Sequence, residues 1–288
     1  MSGRIIKAIS SFYYVKEGES VTECKARGHF KKENQSLLVG DIVEYDREAK
    51  IIEAVNDRKN SLVRPPVANI DKAFIVSSYS TPSPSRLIID TLIAICEYKG
   101  ITPVIVFNKS DLGDFEQIKN CYTKAGYKTI VASAQNGEGI AEIKAELKDQ
   151  ISVFTGNSGV GKSSLLNIIL PELNLKTGQV SEKLGRGRHT TRHTQLYEVQ
   201  GGLVADTPGF SSLEVEKDDY NFKEQLENCF IEFEEYLGQC KFTGCSHTGE
   251  KGCAVCKAVE DGKIEKSRFE SYKSIYEELK NLKKWQIK

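Results

Sequence analysis

The sequence predicts a multidomain α/β protein: a small β-barrel first, a parallel sheet flanked by helices next, and a helical metal-binding region last. Three observations predict it. Short strands separated by glycine turns occupy the chain up to Val55. Apolar runs alternate with amphipathic helical segments from Ile70 onward. Cys229, Cys240, Cys245, Cys253 and Cys256 then crowd into 28 residues.

Residues 4–15, 21–27, 42–45 and 51–55 form the first group of strands, with Gly18, Gly28, Gly40 and the polar stretch Lys31 to Ser36 between them. Several short strands without a helical period suit a small barrel; an irregular β-appendage is the alternative. Arg64-Pro65-Pro66 marks a linker, because proline cannot continue a central strand. Ala73–Val76, Val104–Phe107, Thr129–Ala132 and Ile151–Thr155 are apolar runs suited to buried parallel strands. Helices are expected between and after them, at Ser85–Tyr98, Phe115–Ala125, Ile140–Lys148 and Lys162–Leu170. The first should turn Leu87, Leu92, Ile95 and Cys96 inward and stop at Gly100. Such alternation gives a parallel sheet covered on both faces. Leu196–Val199 and Leu203–Ala205 flank Gly201-Gly202 as a hairpin. Residues 222–237 look helical and acidic, and a last helix runs from about Lys266 to Trp285 with Phe269, Tyr272, Tyr276, Leu279 and Leu282 on one stripe.

A chain of 288 residues with 28% charged residues is an ordinary globular composition. Forty basic and forty acidic residues cancel, so no global basicity announces a nucleic-acid partner. Positive charge is local: Lys176, Lys183, Arg186, Arg188 and Arg192 stand against Glu182 alone in residues 176–193. No apolar run is long enough to span a bilayer, and the first residues lack a secretory signal pattern. A cytosolic chain with one tight cysteine cluster points to a metal site rather than disulfides.

Gly156-Asn157-Ser158-Gly159-Val160-Gly161-Lys162-Ser163, followed by Ser164, matches G-x-x-x-x-G-K-[ST] between a strand and a helix. Glycines let the backbone curl its N–H groups toward phosphates, and the helix places its positive end there. Lys162 is expected to reach the β- and γ-phosphates and Ser163 to ligate Mg²⁺. Asp206-Thr207-Pro208-Gly209 ends a strand, where Asp206 can hold Mg²⁺ through water and the Gly209 N–H can touch the γ-phosphate. Asn108-Lys109-Ser110-Asp111 follows another strand and points to guanine: the Asp111 carboxylate can accept from N1–H and the N2 amine, a donor pair that adenine lacks. Lys109 can cover the ring, Asn108 can fix neighbouring loops, and Ser133-Ala134 can offer a backbone N–H to guanine O6.

The order of these motifs is permuted. N-K-S-D and S-A precede the P-loop, whereas ordinary GTPases run the other way. Such a cut is tolerated when the old chain ends lie close together. Between the P-loop and D-x-x-G lies Gly185-Arg186-Gly187-Arg188-His189-Thr190-Thr191-Arg192-His193. Thr191, preferred to Thr190, can ligate Mg²⁺. Phe210 stands where Ras-like enzymes carry the water-orienting glutamine, so His189 or His193 is a candidate for that role. Arg186 and Arg188 can neutralise transition-state charge or contact RNA phosphate.

Cys240-x4-Cys245-x-His247-x5-Cys253 offers three thiolates and an imidazole, a donor set for a closed structural Zn²⁺ site; Cys256 is a rival fourth ligand. An RNA-binding module merely rigidified by nucleotide is a second function class. A P-loop ATPase or kinase is a third, opposed by N-K-S-D.

Together these residues resemble the bacterial ribosome small-subunit-dependent GTPase A family, over essentially the whole chain. The resemblance rests on N-K-S-D before G-N-S-G-V-G-K-S, on G-R-G-R-H-T-T-R-H, on D-T-P-G-F and on C-x4-C-x-H-x5-C. It implies an N-terminal OB-fold (1–66), a circularly permuted P-loop GTPase domain (67–215) and a zinc-binding domain (216–288). It implies a cytoplasmic, monomeric, Mg²⁺-dependent GTP hydrolase that acts in late maturation of the 30S subunit. It also implies contact with 16S rRNA, stimulation by the ribosome, and no membrane or DNA partner.

Overall fold

A computed structural model describes residues 1–28, 30, 36–79, 84–173, 175, 194–206 and 221–281. The segments expected to carry Thr191, His189, His193, Arg186 and Arg188, and those with Gly209, Phe210, Leu282 and Trp285, lie outside the described residues.

Five strands make the N-terminal barrel: β1 (Ser2–Ile9), β2 (Phe12–Glu17), β3 (Ser20–Ala26), β4 (Ile42–Asp46) and β5 (Ile51–Val55). The expected single strand over 4–15 is instead β1 and β2, because Ser10, at φ 54°, turns the chain back on itself. Antiparallel pairing runs β1–β2–β3, β3 meets β5 in parallel, β5 pairs with β4, and β4 returns to β1. That closure makes a barrel rather than an irregular appendage. Ile5, Val15, Cys24, Val43, Tyr45 and Ile52 fill it. The Arg64-Pro65-Pro66 stretch joins two short strands, β6 (Ser61–Leu62) and β7 (Val67–Ala68), which pair with each other.

The central sheet contains β8 (Lys72–Ser78), β9 (Thr102–Asn108), β10 (Lys128–Val131), β11 (Ile151–Thr155), β12 (Gln195–Val199) and β13 (Gly202–Asp206). Their spatial order is β10-β9-β8-β11-β13-β12, parallel except for β12, and β12 continues into barrel strand β1. The join is reinforced by an ion pair between Lys16 of β2 and Glu198 of β12. Period-two alternation sends successive residues of β8 to opposite faces. Phe74 and Val76 meet α3 (Ile140–Leu147) and α4 (Lys162–Ile169) in one core. Ala73 and Ile75 share the other with α1 (Arg86–Tyr98) and with Tyr122 of α2 (Glu116–Lys124).

One expectation is corrected and another refined. Leu87 is 41% exposed rather than inward, since at 100° per residue it lies opposite Ile89, which with Ile93 and Cys96 defines the buried face. Residues 222–237 are helical as expected, but in three short pieces. A turn of helix α5 (Phe222–Gln225) passes into 3₁₀ turns at Leu226–Cys229 and Ile231–Tyr236, broken at the extended residue Phe230. The break sets Glu227 against His247 and Glu232 against Arg268, partners from later in the chain. Helices α6 (Ala254–Glu260) and α7 (Lys266–Asn281) complete the region, and α7 packs on α1. Phe269, Tyr272 and Ile275 of α7 are buried.

Arg268 fastens this region to the sheet. Its guanidinium, 1% exposed, donates to Asp90 of α1 at 2.7 Å and to both oxygens of Glu232 at 2.7 and 3.0 Å, and lies over the rings of Phe230, Tyr127 and Tyr122. A buried planar cation with two carboxylates and aromatic faces uses the geometry that distinguishes arginine from lysine.

Candidate functional site

The parallel strands deliver the sequence motifs to one edge of the sheet, the carboxyl edge at which open α/β sheets bind ligands. Asn108 ends β9, Ser133 and Ala134 follow β10, Gly156 follows β11, and Asp206 ends β13. Sheet order therefore restores the neighbours that the permuted chain order separates.

The P-loop is fixed by two close approaches. At Gly156, φ 129°, an added Cβ would come within 2.1 Å of the Val76 carbonyl oxygen; at Gly161, φ 94°, it would come within 2.2 Å of Asn108 Nδ2. Both positions combine a left-handed backbone with no room for a side chain, which only glycine satisfies. Asn108, 1% exposed, donates from Nδ2 to the Val160 carbonyl at 2.8 Å, and its Oδ1 accepts from the Ala134 N–H at 3.2 Å. One amide thus ties the N-K-S-D, S-A and P-loop segments together.

Lys162 opens α4, so its ammonium sits with the helix's positive end. Its Nζ donates to the carbonyls of Gly156 at 2.6 Å and Asn157 at 2.7 Å. Burial pushes its pKa down to about 8, since desolvation disfavours the charged ammonium. Ser133 Oγ donates to Asp111 Oδ1 at 2.5 Å and accepts from the Gln135 N–H at 3.1 Å, which aims the carboxylate. Ser110 Oγ donates to Glu138 Oε2 at 2.6 Å and joins the N-K-S-D turn to the loop after β10. Sequence reading missed Glu138, since nothing in its spacing ties it to Ser110. Lys109 takes a left-handed backbone at φ 66°. Asn157, Ser158, Gly159, Ser163 and Ser164 lie on the loop and the first turn of α4.

The ligand atoms of Cys240, Cys245, His247 and Cys253 lie within 4.8 Å of one another. Cys240 Sγ is 3.9 Å from Cys253 Sγ, and His247 Nδ1 is 3.5 and 3.3 Å from Cys240 and Cys253 Sγ. A tetrahedral Zn²⁺ with ordinary bond lengths needs S···S edges of about 3.8 Å and S···N edges of about 3.6 Å, so the donor set fits zinc. Backbone N–H groups of Ala254 and Cys256 point at Cys240 and Cys253 Sγ. His247 is buried, and Glu227 Oε2 lies 2.9 Å from its Nε2, fixing the ring so that Nδ1 faces the thiols. Glu227 was invisible to sequence spacing, 20 residues ahead of its partner. Cys256, outside this group of four, has its Sγ 3.9 Å from the His247 carbonyl and also meets the Cys253 thiol.

Comparison with known proteins agrees with this geometry. Residues 55–216 match the model of the RsgA GTPase family and residues 2–51 that of the RsgA N-terminal domain. The chain is 46% identical over its whole length to a small ribosomal subunit biogenesis GTPase RsgA of Caldanaerobacter subterraneus, covering 99% of that protein. It is 47% identical to one of that name from Geobacillus, covering 98% of each chain. The crystal structure of YjeQ from Thermotoga maritima superposes with a TM-score of 0.81 at 36% identity, covering 98% of this chain and 99% of that one. That of YloQ, described as a circularly permuted GTPase, gives 0.80 at 36% identity, covering 98% and 96%. With both family models in chain order and identity sustained along the full length, this chain belongs to the RsgA GTPase family.

Proposed function

We propose that this protein binds the small ribosomal subunit during its late maturation and hydrolyses GTP to GDP and phosphate there. The observation that carries the reading is Asn108, which locks a guanine-type loop onto a P-loop across 52 residues of permuted sequence. In this reading Asp111, Lys109, Ser133 and Ala134 hold guanine, and the loop from Gly156 to Ser164 with Lys162 holds the phosphates. Ser163, Thr191 and Asp206 would hold Mg²⁺, and the Gly209 N–H would hold the γ-phosphate. When bound, the metal would supply charge that stabilises the transferring phosphoryl group. His189 orients the attacking water, since Phe210 has no group to do so. Cys240, Cys245, His247 and Cys253 hold one structural zinc. The division at residues 66/67 and 215/216, the monomeric state, the cytoplasmic location and contact with 16S rRNA belong to the same proposal. Among the described residues no helix is long and apolar enough to cross a membrane.

The test is GTP turnover with and without purified small subunits at low salt. Slow basal hydrolysis and strong stimulation are expected, and the stimulation should decline as salt weakens phosphate contacts. His189→Ala should lower the stimulated rate with little change in GTP affinity. Unchanged turnover with subunits demonstrably bound would overturn the proposal.

A further inference from the structure

The turn that carries Asp111 is held at its near end by the sheet: Ser110 N–H donates to the Ala132 carbonyl at 3.1 Å. Its far end is Gly113, whose N–H donates back to Ser110 O at 3.3 Å. Gly113 has an extended backbone at φ 166°, which any residue adopts. Space, not conformation, demands glycine there. An added Cβ would fall 2.1 Å from both Cε1 and Cζ of Tyr79.

Tyr79 directly follows β8, which runs beside β9 in register, Ser78 opposite Asn108. Its ring lies against Gly113 and packs edge-to-face with Phe115, centroids 5.5 Å apart at 87°. Phe115, 2% exposed, stacks at 5.1 Å on Phe107, the residue before the motif. Tyr79 is itself 42% exposed. An aromatic that stays on the surface and covers a glycine beside a binding motif has a reason to be there other than core burial.

We propose that Tyr79 is a positioning residue for guanine recognition. Its ring clamps the end of the Ser110–Leu112 turn against Phe115 and so fixes the backbone from which Asp111 reaches N1–H and the N2 amine. Ser133 aims the carboxylate, and Tyr79 holds the peptide that carries it. A shift of well under an ångström there degrades a two-donor contact more than a one-donor contact. This inference rests on the reading of Asp111 as the guanine carboxylate.

Equilibrium binding of GDP and of inosine diphosphate, which lacks the N2 amine, to the full chain separates the possibilities. Tyr79→Ala should weaken GDP binding by about threefold to tenfold and inosine diphosphate binding by less, so that discrimination between them falls. Tyr79→Phe keeps the ring and should restore both. Gly113→Ala pushes the ring aside and should reproduce Tyr79→Ala, yet cost nothing more when added to it, which marks a shared contact. Where Tyr79→Ala folds poorly, Gly113→Ala carries the same test. Asp111→Asn should shift preference toward xanthosine diphosphate. If it does not, the reading of Asp111 fails. If it does, while Tyr79→Ala and Gly113→Ala keep the wild-type discrimination, the clamp is overturned.

Discussion

Asn108 donates from Nδ2 to the Val160 carbonyl across 2.8 Å, and the same side chain accepts from the Ala134 N–H, so one buried amide holds three loops that meet only in the folded chain. Removing it leaves a buried carbonyl and an N–H without partners. Asn108→Ala should cost about 1–3 kcal/mol of stability and weaken nucleotide binding. Asn108→Asp should cost more, because an acceptor would face the Val160 carbonyl. Denaturant melts of the three proteins check the order; equal stability of Asn108→Ala and wild type would remove Asn108 from this role.

The metal cluster makes a separate expectation. Elemental analysis should find about one zinc per chain. Cys245→Ser should lose it and loosen the C-terminal region, whereas Cys256→Ser should keep it, since Cys256 lies outside the group of four. Glu227→Gln should weaken metal retention against a chelator by about 10–100-fold, as expected for the carboxylate that orients a ligating histidine. Metal loss from the Cys256 variant alone would reassign the fourth ligand.

Lys162 has a pKa lowered from 10.5 to about 8 by burial. The sign follows from linkage. Between those two values the unfolded chain binds more protons at this group, so the cost of burying the charge is present at low pH and is relieved as pH rises. Bound phosphates reverse this by stabilising the ammonium. GTP affinity should therefore fall as pH rises above about 8, with proton uptake on binding, measured by calorimetry in two buffers of different ionisation heat. Lys162→Arg, which does not titrate, should remove the lysine's share of that uptake. No difference between the two proteins would place the proton elsewhere.

Arg268 should matter for stability far more than a surface charge. Arg268→Leu strands the buried Asp90 carboxylate and the half-buried Glu232. Unfolding in denaturant should show a loss of about 3–5 kcal/mol. Arg268→Lys should lie between the two, because it keeps charge and loses the fork that reaches both partners. A loss below about 1 kcal/mol for the leucine variant would make the network dispensable.

Sequence alone determined whatever depends on local spacing. The P-loop, N-K-S-D and the Cys-x4-Cys-x-His-x5-Cys run are contiguous, so their chemistry was legible without a fold. So was the alternation of buried strands and helices, because residues two and 3.6 apart report a face directly. Tertiary structure decided what joins distant segments. Leu87 fell outside the core because the helix face was set by Ile89, Ile93 and Cys96. The helical stretch over 222–237 divides at Phe230, and the division sets Glu227 and Glu232 against partners from later segments. Tyr79, Glu138, Glu227 and Arg268 carry no motif, and their partners come from other segments of the chain. A contact between residues far apart in the chain exists only after the sheet order is set, and no local pattern encodes it.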